Sequence, residues 1–107
     1  MQDPILVISF SADLTQRVRQ VLRRSGETVS TLEGTLPAER MAVRAVIVTA
    51  RPETDIGSIH QALKTWSVPL FLVSDSHSPP KEHWIHTSSE HLESNFLQEL
   101  HRRTAQN

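Results

Sequence analysis

The stretch "ILVISFSADL", residues 5–14, joins a strand to a helix. Residues 5–10 are mostly β-branched and aliphatic, which is typical of a central parallel strand that is buried on both faces. From Asp13 onward the apolar residues follow the helical period, and we predict an amphipathic helix that ends at Gly26. Glycine suits that position because it accepts the positive φ of a helix C-terminus. A strand that leads directly into a helix indicates an α/β fold.

The rest of the chain repeats this alternation. Further strands are predicted at 27–33, 44–50, 68–75 and 83–87, and helices are predicted over about 54–66 and from Leu92 onward. Thr54 or Asp55 can cap the middle helix, and Ser88 or Ser89 the last one. Residues 35–43 leave room only for a short helix or a turn. This order predicts a three-layer α/β sandwich with a five-stranded, mostly parallel sheet and right-handed crossovers.

The composition narrows the possible partners. Lys and Arg number 11 against 12 Asp and Glu, so we expect no general attraction to nucleic acid or to a membrane surface. The chain has no cysteine, which excludes disulfides and thiolate chemistry and fits a reducing compartment. Its apolar runs are far shorter than the roughly 20 residues that cross a bilayer. We therefore expect one cytoplasmic domain over residues 1–107, with an ordered core of about 4–103, excised from a larger protein.

The chain resembles the receiver domain of bacterial response regulators along nearly its whole length. The segment "ILVISFSADLTQRVRQVLRRSGETV" (5–29) is similar to the opening of such a domain without a gap. The later strands also fall in order, with "RAVIVTA" (44–50) resembling the third, "VPLFLVS" (68–74) the fourth and "WIHTS" (84–88) the fifth. The resemblance implies a flavodoxin-like fold and a place in a two-component phosphorelay.

The reactive residues of that family are replaced in this chain. The acidic pair that binds metal would stand at Ser9 and Phe10, the phosphate-accepting aspartate at Thr49, and the essential lysine at Thr87. The hydroxyl position at Ser74 is kept. A receiver needs carboxylates because Mg²⁺ takes hard oxygen ligands. The resemblance therefore implies a pseudo-receiver with no catalytic residues, no metal and no cofactor.

The link between the fourth and fifth strands is also unusual. Only twelve residues, 75–86, separate Ser74 from Thr87, and two of them are adjacent prolines. A helix of about 11 residues with its links and a strand does not fit, so we expect a loop in place of that helix. The segments 23–34 and 82–92 are similar to the α/β/loop domain of Rcs-type hybrid sensor histidine kinases. That likeness implies a linker in an inner-membrane kinase, with a kinase core, receiver or phosphotransfer domain as partner.

Two features are candidates for a docking surface. The first is the basic face of the first helix, which in receivers faces the histidine-bearing partner; it carries Arg17, Arg19, Arg23 and Arg24. The alternative is a solvated face whose arginine stems cover the rim of the core. The second is Trp84, which is either a lid on the core or an exposed anchor. Trp66 closes the apolar stripe of its helix and is assigned to the core.

The histidines allow two interpretations. His83, His86 and His91 form an H-x2-H-x4-H pattern, but no cysteine or well-spaced carboxylate completes a zinc set, so surface histidines are favoured. His60 flanks Ile59 on its predicted helix and is either a phosphohistidine or a residue at the core boundary.

Three functions follow from these observations. The first is a silent receiver-like module that mediates protein contacts in a phosphorelay. The alternative is an α/β domain that binds a small ligand at the carboxyl ends of strands one and three, around Ser9, Ser11, Thr49 and Ser74. An enzyme has the least support, because no nucleophile, base and oxyanion-binding set can be assembled from the sequence.

Overall fold

The computed structural model describes residues 3–37, 39, 41–75, 84–92 and 96–105. In chain order their elements are β1 (Ile5–Ser9), α1 (Ala12–Arg24), β2 (Val29–Glu33), β3 (Ala45–Thr49), α2 (Ile56–Leu63), β4 (Leu70–Val73), β5 (Trp84–Thr87), a 3₁₀ turn (Ser89–His91) and α3 (Phe96–Ala105). None of the helices in these residues is long and apolar enough to span a bilayer.

All five strands are parallel and lie in the order β2-β1-β3-β4-β5. The predicted α/β class and the five-stranded parallel sheet are confirmed, and the strand order is compatible with a flavodoxin-like fold. β1 and β3 are buried throughout, as their unbroken apolar runs predict. The carboxyl ends of the strands therefore meet at one edge of the sheet.

The alternating side chains of the strands build two hydrophobic cores. The face that carries Val7 and Ile47 packs against α1 and α3, and Phe71 of β4 meets Phe96 of α3 edge to face at 5.7 Å. The opposite face, with Ile8 and α2, forms the second core. Trp66 is buried in this second core, which confirms its assignment.

The first helix begins and ends as its sequence predicts. Ser11 is its N-cap, and the Ser11 carbonyl accepts a hydrogen bond from Thr15 N–H at 2.9 Å. At the other end Gly26 has φ +78° and donates to the Arg23 carbonyl, while Glu27 donates to the Leu22 carbonyl. These two bonds form a Schellman motif, so the prediction for Gly26 is confirmed.

Two links between strands were predicted to lack a full helix, namely the link between β2 and β3 and the link between β4 and β5. Between β2 and β3, the described residues of 34–44 form no helix, and buried Val43 packs into the core beside α2 with half-buried Leu36 and Met41 against it. The predicted short helix is therefore absent from the described residues of this link. Between β4 and β5, the predicted loop falls on residues 76–83, which lie outside the described part of the chain.

The start of the last helix differs from the prediction. Leu92 caps the end of the 3₁₀ turn and α3 is described as Phe96–Ala105, so the prediction that Leu92 belongs to the last helix is wrong. Ser88 precedes the turn but its side chain makes no capping bond. The Asp75 carboxylate, at the end of β4, accepts the Ser89 N–H at 2.8 Å instead. A charged acceptor from a distant strand replaces the expected local hydroxyl because the fold brings it within reach.

Of the two predicted caps for α2, the structure uses Asp55. Its carboxylate accepts hydrogen bonds from the Ser58 hydroxyl and the Ser58 N–H. Those bonds, led by the one from the hydroxyl, lower the pKa of Asp55 from its ordinary value. A carboxylate at this position also interacts favourably with the positive end of the helix.

Candidate functional site

The positions singled out by the receiver resemblance lie together at the carboxyl edge of the sheet. A single row of register partners crosses four strands and contains Ser9, Thr49, Val73 and Thr87. Phe10 and Ser74 are each one residue beyond this row. Register partners in a parallel sheet point to the same face, so Ser9, Thr49 and Thr87 lie on the side that α1 and α3 cover.

Three buried hydroxyls form a network at this edge. The Thr15 hydroxyl donates to Ser9 Oγ at 2.7 Å, and the Oγ1 atoms of Thr15 and Thr49 are 2.6 Å apart. Thr49 is fully buried, and its hydroxyl also lies 3.3 Å from the Ser11 carbonyl oxygen. The single hydrogen of the Thr49 hydroxyl is shared between two acceptors, the Thr15 hydroxyl and the Ser11 carbonyl oxygen. The network therefore links β3 to β1 through Thr15 of α1.

Sequence reasoning missed Thr15, the centre of this network. It lies on the buried stripe of α1, three residues before Val18 and seven before Leu22, where an apolar residue is expected. A hydroxyl at such a position needs a partner inside the protein because burial without one is costly. A hydroxyl residue in an otherwise apolar stripe was the feature of the sequence that could have indicated a buried hydrogen bond.

The residues at this edge do not fit the Mg²⁺ ion that the receiver resemblance brings to mind. Mg²⁺ is held in proteins by carboxylates and phosphates in octahedral geometry, whereas Ser9, Thr15 and Thr49 offer neutral hydroxyls that bind one another. No group of three or more His, Cys, Asp or Glu in the described residues could hold a metal ion.

The hydroxyls named for a small-ligand site are largely enclosed. Ser9 is 9% exposed, and Ser11, Thr49 and Ser74 are buried as well. Ser74 N–H donates to the Thr87 carbonyl at 3.1 Å, and His86 Nε2 lies 2.8 Å from the Ser74 carbonyl oxygen. Within the described residues, no buried side-chain nitrogen or oxygen lacks a hydrogen-bond partner. Ser11, Thr49 and Ser74 therefore present little free surface for a ligand between β1 and β3, whereas Ser9 lines the open groove beside this edge, together with Thr15.

An open groove lies beside this edge, between α1 and the ends of β1 and β2. Its volume is about 610 Å³, and we call it the basic groove. The lining includes Phe10, Gln16, Arg19, Gln20, Arg23, Glu33 and Arg51. Arg51 is 3.8 Å from the exposed Glu53 carboxylate. The sequence predicted Arg19 and Arg23 as docking residues, but not that Arg51 and Glu33 share their surface.

The other two candidate arginines lie outside the basic groove. The Arg17 guanidinium donates to the Ser89 carbonyl at 2.8 Å, so it joins α1 to the 3₁₀ turn. Arg24 is exposed in the last turn of α1. The structure therefore divides the predicted basic face, and only Arg19 and Arg23 share one concave surface.

Trp84 is part of the core, so of its two predicted roles the lid on the core is correct and the exposed docking anchor is wrong. The side chain is 4% exposed, and its indole N–H donates to His60 Nδ1 at 3.1 Å. An indole nitrogen can only donate, so Nδ1 of the neutral His60 ring is the acceptor and the ring proton is on Nε2. His60 itself is 8% exposed at the edge of the same core. The pair joins β5 to α2 across the face of β4.

The histidine pattern does not form a cluster in the described residues. His86 and His91 are exposed and line a second depression of about 710 Å³ between β5 and α3. His86 is held by the Ser74 carbonyl. His83 lies outside the described residues.

Asp75 is a further residue that the sequence did not reveal. Hydrogen bonds from Ser89, led by its backbone N–H, lower the pKa of Asp75 from its ordinary value, and the positive charge of Arg17 adds to the effect. Ser89 is thus held by Asp75 through its N–H and by Arg17 through its carbonyl. These contacts connect α1, β4 and the turn before α3.

We expect Asp75→Ala to lower the free energy of unfolding by about 0.5–1 kcal/mol, as for a lost helix cap. Asp75→Asn keeps an acceptor oxygen and should cost less. Because the folded-state pKa is lowered, the stabilisation by the carboxylate is present above its ordinary pKa and is lost as pH falls through the lowered value. Urea unfolding from about pH 6 to about pH 2 should show the difference between wild type and Asp75→Asn shrinking at the acid end. A difference that grows on acidification contradicts this assignment.

No protein-family model, curated protein or solved structure matches this chain. Its function is therefore inferred from its own residues.

Proposed function

We propose that this chain is a receiver-like module that cannot be phosphorylated on the usual site and that mediates protein–protein contacts in a bacterial two-component phosphorelay. In this proposal it is a cytoplasmic part of a hybrid sensor histidine kinase. Its partners are the kinase core, receiver or phosphotransfer domain of the same signalling system. The observation that carries the proposal is the hydroxyl network of Ser9, Thr15 and Thr49 at the edge where a receiver keeps its acids.

The chemistry of that network supports a silent site. Phosphoryl transfer from histidine to aspartate needs a carboxylate nucleophile and a cation that neutralises the transferred group. Thr49 offers a fully buried hydroxyl whose hydrogen-bond partners are the Thr15 hydroxyl and the Ser11 carbonyl. A hydroxyl becomes a good nucleophile only beside a general base, and none of these contacts supplies one. Ser9 and Phe10 add no negative charge.

The surface beside the network supports a role in binding. The chain has a formal net charge of −1, yet Arg19, Arg23 and Arg51 line one groove with Glu33 as the opposing charge. Clustered charge of one sign on a nearly neutral protein raises the encounter rate with a complementary surface and selects its orientation. A scaffold without reactive groups and with such a surface suits a docking module.

The first test is incubation of the chain with Mg²⁺ and acetyl phosphate, followed by intact-mass spectrometry. An intact receiver in the same reaction is the positive control. We expect a Mg²⁺-dependent phosphoryl adduct on the control and none on this chain. A stable Mg²⁺-dependent adduct on this chain would overturn the silent-site part of the proposal.

The second test addresses the contacts. NMR titration of the labelled chain with the kinase core, receiver and phosphotransfer domains of its own signalling system should shift a contiguous set of surface resonances with at least one of them. The absence of any shift with all three domains would overturn the phosphorelay part of the proposal.

A further inference from the structure

We infer that the basic groove is the docking site for an acidic helical segment of a partner protein. The inference rests on the proposed function, because it names the chemistry of the partner that such a module would contact. The first supporting observation is the charge of the residues that line the groove. Among the described residues, the groove is lined by the guanidinium groups of Arg19, Arg23 and Arg51 and by the carboxylate of Glu33. Arg51 lies 3.8 Å from the Glu53 carboxylate, so the excess positive charge of the groove comes from Arg19 and Arg23 against Glu33. The whole chain has a net charge of −1, so this excess belongs to the groove.

The spacing along α1 points to a helix as the occupant. Ala12, Gln16, Arg19 and Arg23 all line the groove, are exposed and follow the steps of four, three and four residues that a helix presents to a neighbouring helix. This stripe lies beside the buried stripe of Thr15, Val18 and Leu22, so it faces outward from the rim of the core. The small side chain of Ala12 permits close approach at the N-terminal end.

The arginine pair sets the position of the partner's acids. Arg19 and Arg23 are one helical turn apart, and like charges at this spacing destabilise a helix. Neither forms an ion pair with another residue that the structure describes. Carboxylates one turn apart on a neighbouring helix would match both guanidinium groups, which bind carboxylates with two parallel hydrogen bonds.

The other residues that line the groove indicate which further side chains the partner's helical segment would carry. Phe10 is half-buried at the groove and offers an apolar contact, while Gln16 and Gln20 offer amide groups to polar side chains. Five of the six α1 residues that line the groove are exposed and only Thr15 is buried, whereas a small-molecule site encloses most of its ligand. A protein segment therefore fits this open surface better. Nucleic acid is disfavoured because Glu33 lines the groove and, of the residues that the structure describes, Phe10 alone adds an aromatic ring to it.

The test uses the full chain and a fluorescent helical peptide with two pairs of glutamates at i and i+4 and one leucine. A matched peptide has glutamine in place of each glutamate. We expect the acidic peptide to bind by fluorescence anisotropy, with an affinity that falls as salt rises. The double variant R19E/R23E should bind at least about tenfold more weakly. The control R102E/R103E makes the same charge change on exposed arginines of α3 outside the groove and should bind within about twofold of wild type.

Glu33→Gln gives a test that does not depend on a loss of binding. Removing this carboxylate from the groove should tighten binding of the acidic peptide by about two- to fivefold. Equal binding of the acidic and glutamine peptides would overturn the inference, as would equal losses in the two double variants. Displacement of the peptide by inorganic phosphate or by a single-stranded oligonucleotide at lower concentration than by unlabelled peptide would also overturn it.

The outcomes for the groove and for the proposed function are separable. If kinase or receiver domains bind but shift resonances away from the groove, the groove inference fails and the phosphorelay role stands. If the acidic peptide binds in the groove but none of the phosphorelay domains binds, the groove stands and the phosphorelay role fails.

Discussion

Thr49→Asp is expected to lower the free energy of unfolding at pH 7 by about 3 kcal/mol or more, since it places a charge in a buried site whose described hydrogen-bond partners are a hydroxyl and a carbonyl. Thr49 is fully buried, and its Oγ1 lies 2.6 Å from Thr15 Oγ1 and 3.3 Å from the Ser11 carbonyl oxygen. A carboxylate there would face a carbonyl oxygen that cannot donate. One donor, the Thr15 hydroxyl, would have to be drawn away from Ser9.

The pH dependence of this variant has a defined sign. Burial raises the pKa of the introduced carboxyl in the folded state, while in the unfolded state it keeps its ordinary value. The folded state then binds more protons between the two values, so the stability deficit relative to wild type should shrink as pH falls. Urea unfolding of both proteins at about pH 7 and about pH 4.5 measures this difference.

Thr49→Val is the matched control, because it has nearly the same shape and no charge. It removes the Thr49 hydroxyl from the network and should lower the free energy of unfolding by about 1–2 kcal/mol. If Thr49→Asp costs no more than Thr49→Val, the site is more open to water than the structure indicates. The aspartate variant should also form no Mg²⁺-dependent adduct with acetyl phosphate, since Ser9 and Phe10 still stand where the resemblance puts the metal ligands. Adduct formation by this single variant would mean that other residues supply the metal site.

Trp84→Ala is expected to lower the free energy of unfolding by about 3–5 kcal/mol, the usual cost of truncating a large buried aromatic residue. The indole is 4% exposed, stands in register with Leu70 of β4 and belongs to the core beside α2. Its loss would leave a cavity between β5 and α2. Chemical unfolding of the variant measures this cost, and a loss below about 1 kcal/mol would show that the indole is dispensable to the core.

Trp84→Phe separates the hydrogen bond from the packing. It keeps an aromatic ring but removes the N–H that donates to His60 Nδ1, so it should cost about 1–3 kcal/mol. A double-mutant cycle with His60→Leu isolates the pair. We expect a coupling of about 0.5–1.5 kcal/mol. Additive effects of the two substitutions would mean that the bond contributes nothing to stability.

The candidate site was predictable in part. Ser9 and Thr49 each end an unbroken apolar run, and the ends of parallel strands meet at one edge, so their proximity follows from the pattern. Thr15 was missed because helical periodicity places it on the core face without indicating its partner. The basic groove was missed because Arg51 and Glu33 join Arg19 only when β2 and β3 flank β1.

Trp84 shows why a residue's exposure is harder to predict than its element. Its strand was predicted from local composition, and the structure has β5 at Trp84–Thr87. Whether the indole faced the core or the solvent depended on α2, which lies elsewhere in the sequence. His60 and Trp84 are 24 residues apart, and their bond forms only after β4 and β5 pair.

The sequence by itself determined the five strands, the parallel α/β class and the end of α1 at Gly26. These features depend on interactions between residues near one another in the chain, namely side-chain period, helix capping and the conformational freedom of glycine. Three features were decided only by the tertiary structure. They are the hydrogen bond between Thr15 and Thr49, which are 34 residues apart, the burial of Trp84, and the grouping of arginines in one groove. The physical reason is that these contacts depend on strand order and register, which are set by packing the whole sheet against its helices.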